Sequence, residues 1–225
     1  MRRIRAVTFD LDGTLLDTAL DLSVACNRML TAMGQPARVE ADIRRFVGNG
    51  MAVLVERCLT WEAAPAAAAI AQGIALFRQY YREENGRAAR PYPHVIAGLD
   101  AWQGMGLPLA VVTNKPVDFA APLLRQTGLA DYFQVLVGGD STPHKKPHPE
   151  PILHACRQMD VVPTENLHIG DSINDALAAR AAGSLAYLVP YGYTEGEPLR
   201  ASDCDVLTPD LLAAAHTAQQ SALLG

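Results

Sequence analysis

The sequence has no CxxC pair. Cys26, Cys58, Cys156 and Cys204 stand far apart and read as free thiols of a reducing compartment, not as a disulfide framework or a zinc ribbon. Long apolar runs are also missing: each is broken well before the ~20 residues needed to span a bilayer. Basic charge is not in excess. With 19 Lys and Arg against 24 Asp and Glu the formal net charge is −5, so no footprint for nucleic acid or for an anionic membrane is expected. The opening "MRRIRAVTFD" passes from basic residues straight into a strand pattern. It lacks an apolar h-region and a small-residue cleavage site, so no signal peptide is expected and the chain reads as cytoplasmic. No internal repeat is found.

What is present is ordinary globular material: 225 residues, 49% hydrophobic and 19% charged, enough for one large domain or two modest ones. Helical and strand signals alternate. "AVTF" (6–9) reads as a buried strand. Asp17 or Thr18 can cap a following helix with Leu22, Cys26, Met29, Leu30 and Met33 on its apolar face and Gly34 as its stop. From there to about residue 90 only helical patterns appear. The Ala-rich stretch 63–85 carries Ile70, Ile74, Phe77 and Tyr81 at helical spacing. "RAARPYPHV" marks a boundary. Strands return at 107–114, 135–140, 167–171 and 185–189, and helices at 117–127 and 173–182 end at Gly128 and Gly183. This alternation predicts an α/β fold: a Rossmann-like parallel sheet with helices on both faces, formed by 1–16 and 92–225. An all-helical segment, 17–91, interrupts it.

In such sheets ligands sit at the carboxyl ends of the strands. The first strand ends at Asp10 and Asp12, with Gly13 and Thr14 behind them. The next ends at Thr113, Asn114 and Lys115. "GGDSTPHKKPHPEP" brings Lys145 and Lys146 in a proline-stiffened loop. "LHIGD" ends at Asp171, with Asp175 one helical turn further on. Several carboxylates converging on one edge repel each other in a low-dielectric site. A hard divalent cation relieves that repulsion, and Mg²⁺ favours a few carboxylates, a carbonyl, waters and phosphate oxygens. Thr, Asn and Lys nearby supply donors for a phosphate, so the constellation suits phosphoryl transfer. His144, His148 and His154 fit no standard zinc spacing, and no zinc is expected. Trp61 and Trp102 read as packing residues, and Ser172 as a helix start.

"DLDGT" (10–14), "VVTNK" (111–115), "KKPHP" (145–149) and "GDSIND" (170–175), in this order at strand ends, resemble the four motifs of the haloacid dehalogenase-like (HAD) hydrolase superfamily. The helical segment resembles its C1-type cap. Further matches at "RRFVGNG" (44–50), "DALAARAAG" (175–183) and "VPYGY" (189–193) are similar to the bacterial phosphoglycolate phosphatase group, although Ile173 stands where that group often has Arg. The resemblance implies Asp10 as nucleophile, Asp12 as general acid and base, and Lys146 as the cation between nucleophile and phosphate. It also implies Thr113, the Asn114 backbone and Gly13 around the phosphoryl group. Mg²⁺ would sit on Asp10, the Asp12 carbonyl, Asp171 and Asp175. Arg44, Arg45 and Asn49 of the cap loop are candidates for reading a small anionic phosphomonoester, 2-phosphoglycolate first. Other sugar or amino-sugar phosphates, a phosphomutase and, from another class, a phospho-accepting receiver domain stay open as alternatives. Oligomeric state is not legible.

Overall fold

The computed structural model describes residues 3–196 and 198–221. The outermost residues of the expected core segments, and Glu197, lie outside it. The elements in chain order are β1 (Ala6–Phe9), β2 (Leu16–Asp17), α1 (Ala19–Ala32), α2 (Glu40–Phe46), α3 (Met51–Leu59), α4 (Ala67–Glu84), β3 (Arg90–Pro91), α5 (Val95–Gly104), β4 (Leu109–Val112), α6 (Val117–Gln126), β5 (Val135–Val137), α7 (Glu150–Gln158), β6 (Asn166–Gly170), α8 (Ile173–Ala182), β7 (Leu185–Leu188), β8 (Val206–Leu207) and α9 (Leu211–Gln220).

Six strands form one parallel sheet in the order β5-β4-β1-β6-β7-β8. Strand residues alternate between two apolar layers. Val7, Phe9, Leu109, Val111, Leu167 and Ile169 pack with Leu99 and Trp102 of α5, Leu123 of α6 and Leu211 of α9. Ala6, Ala110, Val112, Ala186 and Leu188 meet Ile152 of α7 and Ala179 of α8 on the other face. Both faces are therefore covered, as the near-continuous apolar strands require. The strand order reverses direction at β1, which has β4 on one side and β6 on the other. That reversal opens the crevice where such sheets hold ligands.

Helices α1–α4 build a separate apolar layer in which Cys26, Met29, Ile43, Val55, Phe77 and Tyr81 are buried together, joined by Phe119 of α6 and by Tyr193. The exclusively helical reading of this segment needs one correction. The chain leaves and re-enters the core through β2 and β3, two residues each, paired antiparallel. Two-residue strands carry no periodicity to detect. β8 escaped notice for the same reason. β1 runs as read, β6 is shifted by one residue, and β4, β5 and β7 run shorter than read because their carboxyl ends leave the ladder to form loops at the crevice. Asp17 Oδ1 accepts from the N–H of Ala19 at 3.2 Å, whereas the Thr18 hydroxyl turns away to Asp12 at 2.7 Å. Gly34 and Gly183 take positive φ at helix ends.

Candidate active site

Strand β1 delivers Asp10 to the crevice, and Gly13 turns the chain back with φ +89°. A Cβ on Gly13 would lie 2.2 Å from Asp171 Oδ2, so only glycine lets the first loop approach the end of β6. Asp10, Asp171 and Asp175 bring one oxygen each to within 4.8 Å of one another. Lys146 Nζ stands among them, 3.0 Å from Asp10 Oδ1 and 2.5 Å from Asp175 Oδ1.

The three carboxylates are held differently. Asp175 has four partners: Lys146 Nζ and His168 Nε2 (3.0 Å) on Oδ1, the Ser172 N–H (3.1 Å) and hydroxyl (2.6 Å) on Oδ2. Those fill its lone-pair positions. Asp171 accepts the Thr14 hydroxyl at 3.0 Å and the Tyr193 N–H at 2.7 Å. Asp10 Oδ1 is buried and has no hydrogen bond; the Lys146 ammonium is its charge partner alone. Burial pushes the Asp10 carboxyl up to about 6 despite Lys146, with the Asp175 charge adding to the rise. Burial, then the charges of Asp175 and Asp10, push Asp171 well above the usual carboxylate range. Burial opposes ionisation of Asp175 too, but Lys146 and His168 outweigh it and hold that carboxyl below its usual range. For Lys146, burial favours the neutral amine, yet Asp10 and Asp175 prevail and raise it.

Behind Asp175 runs a buried polar chain that the sequence reading missed. Burial lowers His168, so its ring is neutral. Nε2–H donates to Asp175, Nδ1 accepts from the Thr8 hydroxyl (2.9 Å), and Thr8 Oγ1 accepts from Asn166 (3.1 Å). Gly170 is required by the same arrangement. Its Cβ would lie 2.1 Å from Asp175 Cγ, so the glycine makes room for that side chain.

Thr113 is buried, and its Oγ1 accepts the Lys115 N–H at 3.2 Å. The Asn114 side chain is spent on structure, donating to the carbonyls of Gly48 (2.8 Å) and Lys146 (2.9 Å) and accepting the Lys146 N–H (2.9 Å). Asp12 accepts from the Thr18 hydroxyl and from Lys115 Nζ at 2.9 and 3.1 Å, and Lys115 also donates to the Tyr81 hydroxyl of α4 at 2.6 Å. Asp10, Asp12, Thr113, Asn114 and Lys115 line one cavity of about 50 Å³, together with Val47, Gly48, Met51, Leu54 and Tyr81 of the helical segment.

The cap candidates are placed otherwise. Arg44 grips both Asp17 oxygens (3.0 and 2.8 Å) with its guanidinium 5.0 Å from the Tyr193 ring. Arg45 is 65% exposed and 3.9 Å from Asp42. Asn49 accepts from Asn174 at 3.1 Å. None of the three lines the cavity.

The sequence pattern of the haloacid dehalogenase-like hydrolases matches residues 4–183. The chain belongs to that family. This hydrolase is 47% identical over 214 residues to the phosphoglycolate phosphatase of Thiobacillus denitrificans, covering 94% of each chain. It is 40% identical over 222 residues to that of Escherichia coli K12, covering 91% of this chain and 88% of that one. A crystal structure of a predicted phosphoglycolate phosphatase from Haemophilus somnus superposes with a TM-score of 0.91 at 33% identity, covering 97% of this chain and all of that one. CbbY from Rhodobacter sphaeroides, solved with phosphate, does so with a TM-score of 0.78 at 26% identity, covering 93% and 95%. Among the described residues of this hydrolase no helix is long and apolar enough to cross a membrane.

Proposed function

We propose that this hydrolase is a Mg²⁺-dependent phosphomonoesterase that works through an aspartyl-phosphate, with 2-phosphoglycolate as its substrate. The observation that carries this reading is Asp10. It is a buried carboxylate at the strand reversal with an oxygen that has no hydrogen bond, facing a lysine and lying in a cluster of acids. The phosphoglycolate phosphatases at 40–47% identity support the substrate.

Asp10 attacks phosphorus as the ester P–O bond breaks, and Asp12 gives a proton to the leaving alkoxide. Asp12 then takes a proton from the water that attacks the phosphorus of the intermediate, and Asp10 and phosphate are released. Thr113 and the Asn114 N–H donate to the phosphoryl oxygens, and Lys146 balances the charge gathering around Asp10. The donor set fits a hard cation: Asp10 and Asp171 have lone pairs to spare, and the Asp12 carbonyl completes the protein's share. Asp175, already carrying four partners, serves chiefly to hold Lys146. When bound, Mg²⁺ supplies the positive charge that lets a carboxylate approach a phosphate dianion. The cavity has room for a few waters, so substrate enters when the α1–α4 layer, which we read as a cap on the core, swings open at β2 and β3.

The test is phosphate release across a panel of phosphomonoesters with Mg²⁺ or with EDTA. A kcat/KM for 2-phosphoglycolate at least about a hundredfold above the rest, some 3 kcal/mol of discrimination, is expected. Mg²⁺-dependent turnover that favours a sugar phosphate removes the substrate and leaves the chemistry. EDTA-resistant turnover removes the metal.

The same acids set a pH signature on the metal-free protein. In the unfolded chain Asp titrates near 4, whereas folded Asp10 does so at about 6 and burial raises Asp171 as well. Between those values the folded state holds more protons, so these two groups make stability fall as pH rises from about 4 through 6. A cation needs the deprotonated ligands, so Mg²⁺ should raise Tm more at about pH 7.5 than at about pH 5. Thermal melts at matched ionic strength check this, and equal shifts at the two pH values would sink it.

A further inference from the structure

We infer that Lys115 and Tyr81 together receive the substrate's non-transferred anionic group, a carboxylate in the case of 2-phosphoglycolate. This rests on the phosphatase reading and adds the part of the site that reads the rest of the molecule. The cavity contains a problem for any anionic substrate. Two of its walls are the carboxylates of Asp10 and Asp12, and much of the remainder is apolar: Leu22, Val47, Leu54, Phe77 and Phe119. Among the described lining residues Lys115 is the single cation. Lys145 lies outside the lining, its ammonium beside Gly50, and the other cations nearby are committed elsewhere. Lys146 is wedged between Asp10 and Asp175, Arg44 is taken by both oxygens of Asp17, and Arg45 faces solvent.

Lys115 is built into the site as a receptor requires. Its side chain is 4% exposed, so its charge acts through a low-dielectric wall. Asp12 and Tyr81 hold the ammonium in place. Tyr81 adds a second donor. Burial, with the Asp12 charge next, pushes its phenol well above the usual range, so the hydroxyl keeps its proton. It accepts from Lys115, and among the described residues it donates to nothing. A buried O–H with no acceptor, beside an ammonium whose present partner is another carboxylate, is matched by an incoming carboxylate. That group takes over the contact Asp12 now makes and receives the Tyr81 proton as a hydrogen bond. Because Tyr81 belongs to α4 and Lys115 follows β4, one bound carboxylate ties the helical layer to the sheet.

The experiment compares 2-phosphoglycolate with its neutral amide, 2-phosphoglycolamide, at saturating Mg²⁺. For wild type the acid should exceed the amide in kcat/KM by roughly thirtyfold or more, the scale of a desolvated charge pair. In Lys115→Met that preference should collapse to within about threefold, chiefly through KM of the acid, and Lys115→Arg should restore a large part of it. Tyr81→Phe, which keeps the ring packing, should reduce the preference several-fold, and it tests the receptor should Lys115→Met not fold. A fall of both esters in parallel, with the preference unchanged, overturns the receptor and leaves Lys115 as a holder of Asp12. Wild type that turns over phosphomonoesters without favouring the acid overturns the receptor while the phosphatase reading stands. Wild type inert on every ester overturns both.

Discussion

Asp10→Asn is expected to reduce kcat by a factor on the order of 10⁴ or more while leaving a protein that, without divalent cation, melts no lower than wild type. The two halves have one cause. In the proposed chemistry Asp10 forms the covalent bond to phosphorus, and an amide oxygen is far too weak a nucleophile to replace it. The same carboxylate is a liability to the metal-free fold. Burial raises it to about 6, so keeping it ionised at neutral pH costs about 2–3 kcal/mol. Asparagine fills the same volume without the charge, can turn its carbonyl oxygen to Lys146, and leaves Lys146 its 2.5 Å contact to Asp175. Phosphate release and paired thermal melts measure the two halves. Residual kcat within tenfold of wild type would show that Asp10 is not the nucleophile. A large drop in metal-free Tm would show that its charge supports the fold.

This separation of activity from stability reflects how the site could be read. Asp10, Thr113 and Asp171 were legible because each directly follows a strongly apolar strand, and such ends are where an α/β sheet gathers its chemistry; Lys146 and Asp175 stand further on, in a loop and a helix. The helix stops were legible because Gly34 and Gly183 take backbone conformations that other residues resist. The supporting shell was harder. His168 and Asn166 sit inside "NLHIG" at alternate positions, on the face that turns toward Thr8 of β1, and the register sets Thr8 opposite His168. A polar pair repeating every second residue in an otherwise apolar strand is itself a signal of a buried network that needs partners. Their shared partner Thr8 lies about 160 residues away in sequence, so the network forms only when the sheet does. Tyr193 shows the same limit. Its N–H holds Asp171 and its hydroxyl accepts the Thr18 N–H at 2.6 Å, linking the acid cluster to the start of α1 through folding alone. The arginines of "RRFVGNG" were attractive by charge. Charge cannot tell a ligand from an ion pair, and Asp17 claims Arg44.

Replacing the cation where the acids meet, by Lys146→Met, should damage both activity and fold. The side chain is 2% exposed and stands between Asp10 and Asp175. Methionine fills its volume, but two carboxylates then face each other across an apolar group. Breaking a buried pair from one side typically costs about 3–5 kcal/mol, because the remaining charge is uncompensated. Turnover should fall at least about a thousandfold, since the charge gathering at Asp10 loses its balance. The pH dependence distinguishes this loss from mere misfit. In wild type Asp175 lies below its unfolded value, so its contribution is present above about pH 4 and is lost only in strong acid. Without Lys146, Asp10 loses the charge that opposes its burial, while Asp175 keeps only His168 and Ser172 against its own, so the variant loses stability as pH rises through the raised range of Asp10. Urea unfolding should therefore place Lys146→Met furthest below wild type near pH 7.5 and recover part of the gap near pH 5. A gap that does not change with pH would mean that packing around the lysine stem, rather than its charge, holds the three acids together.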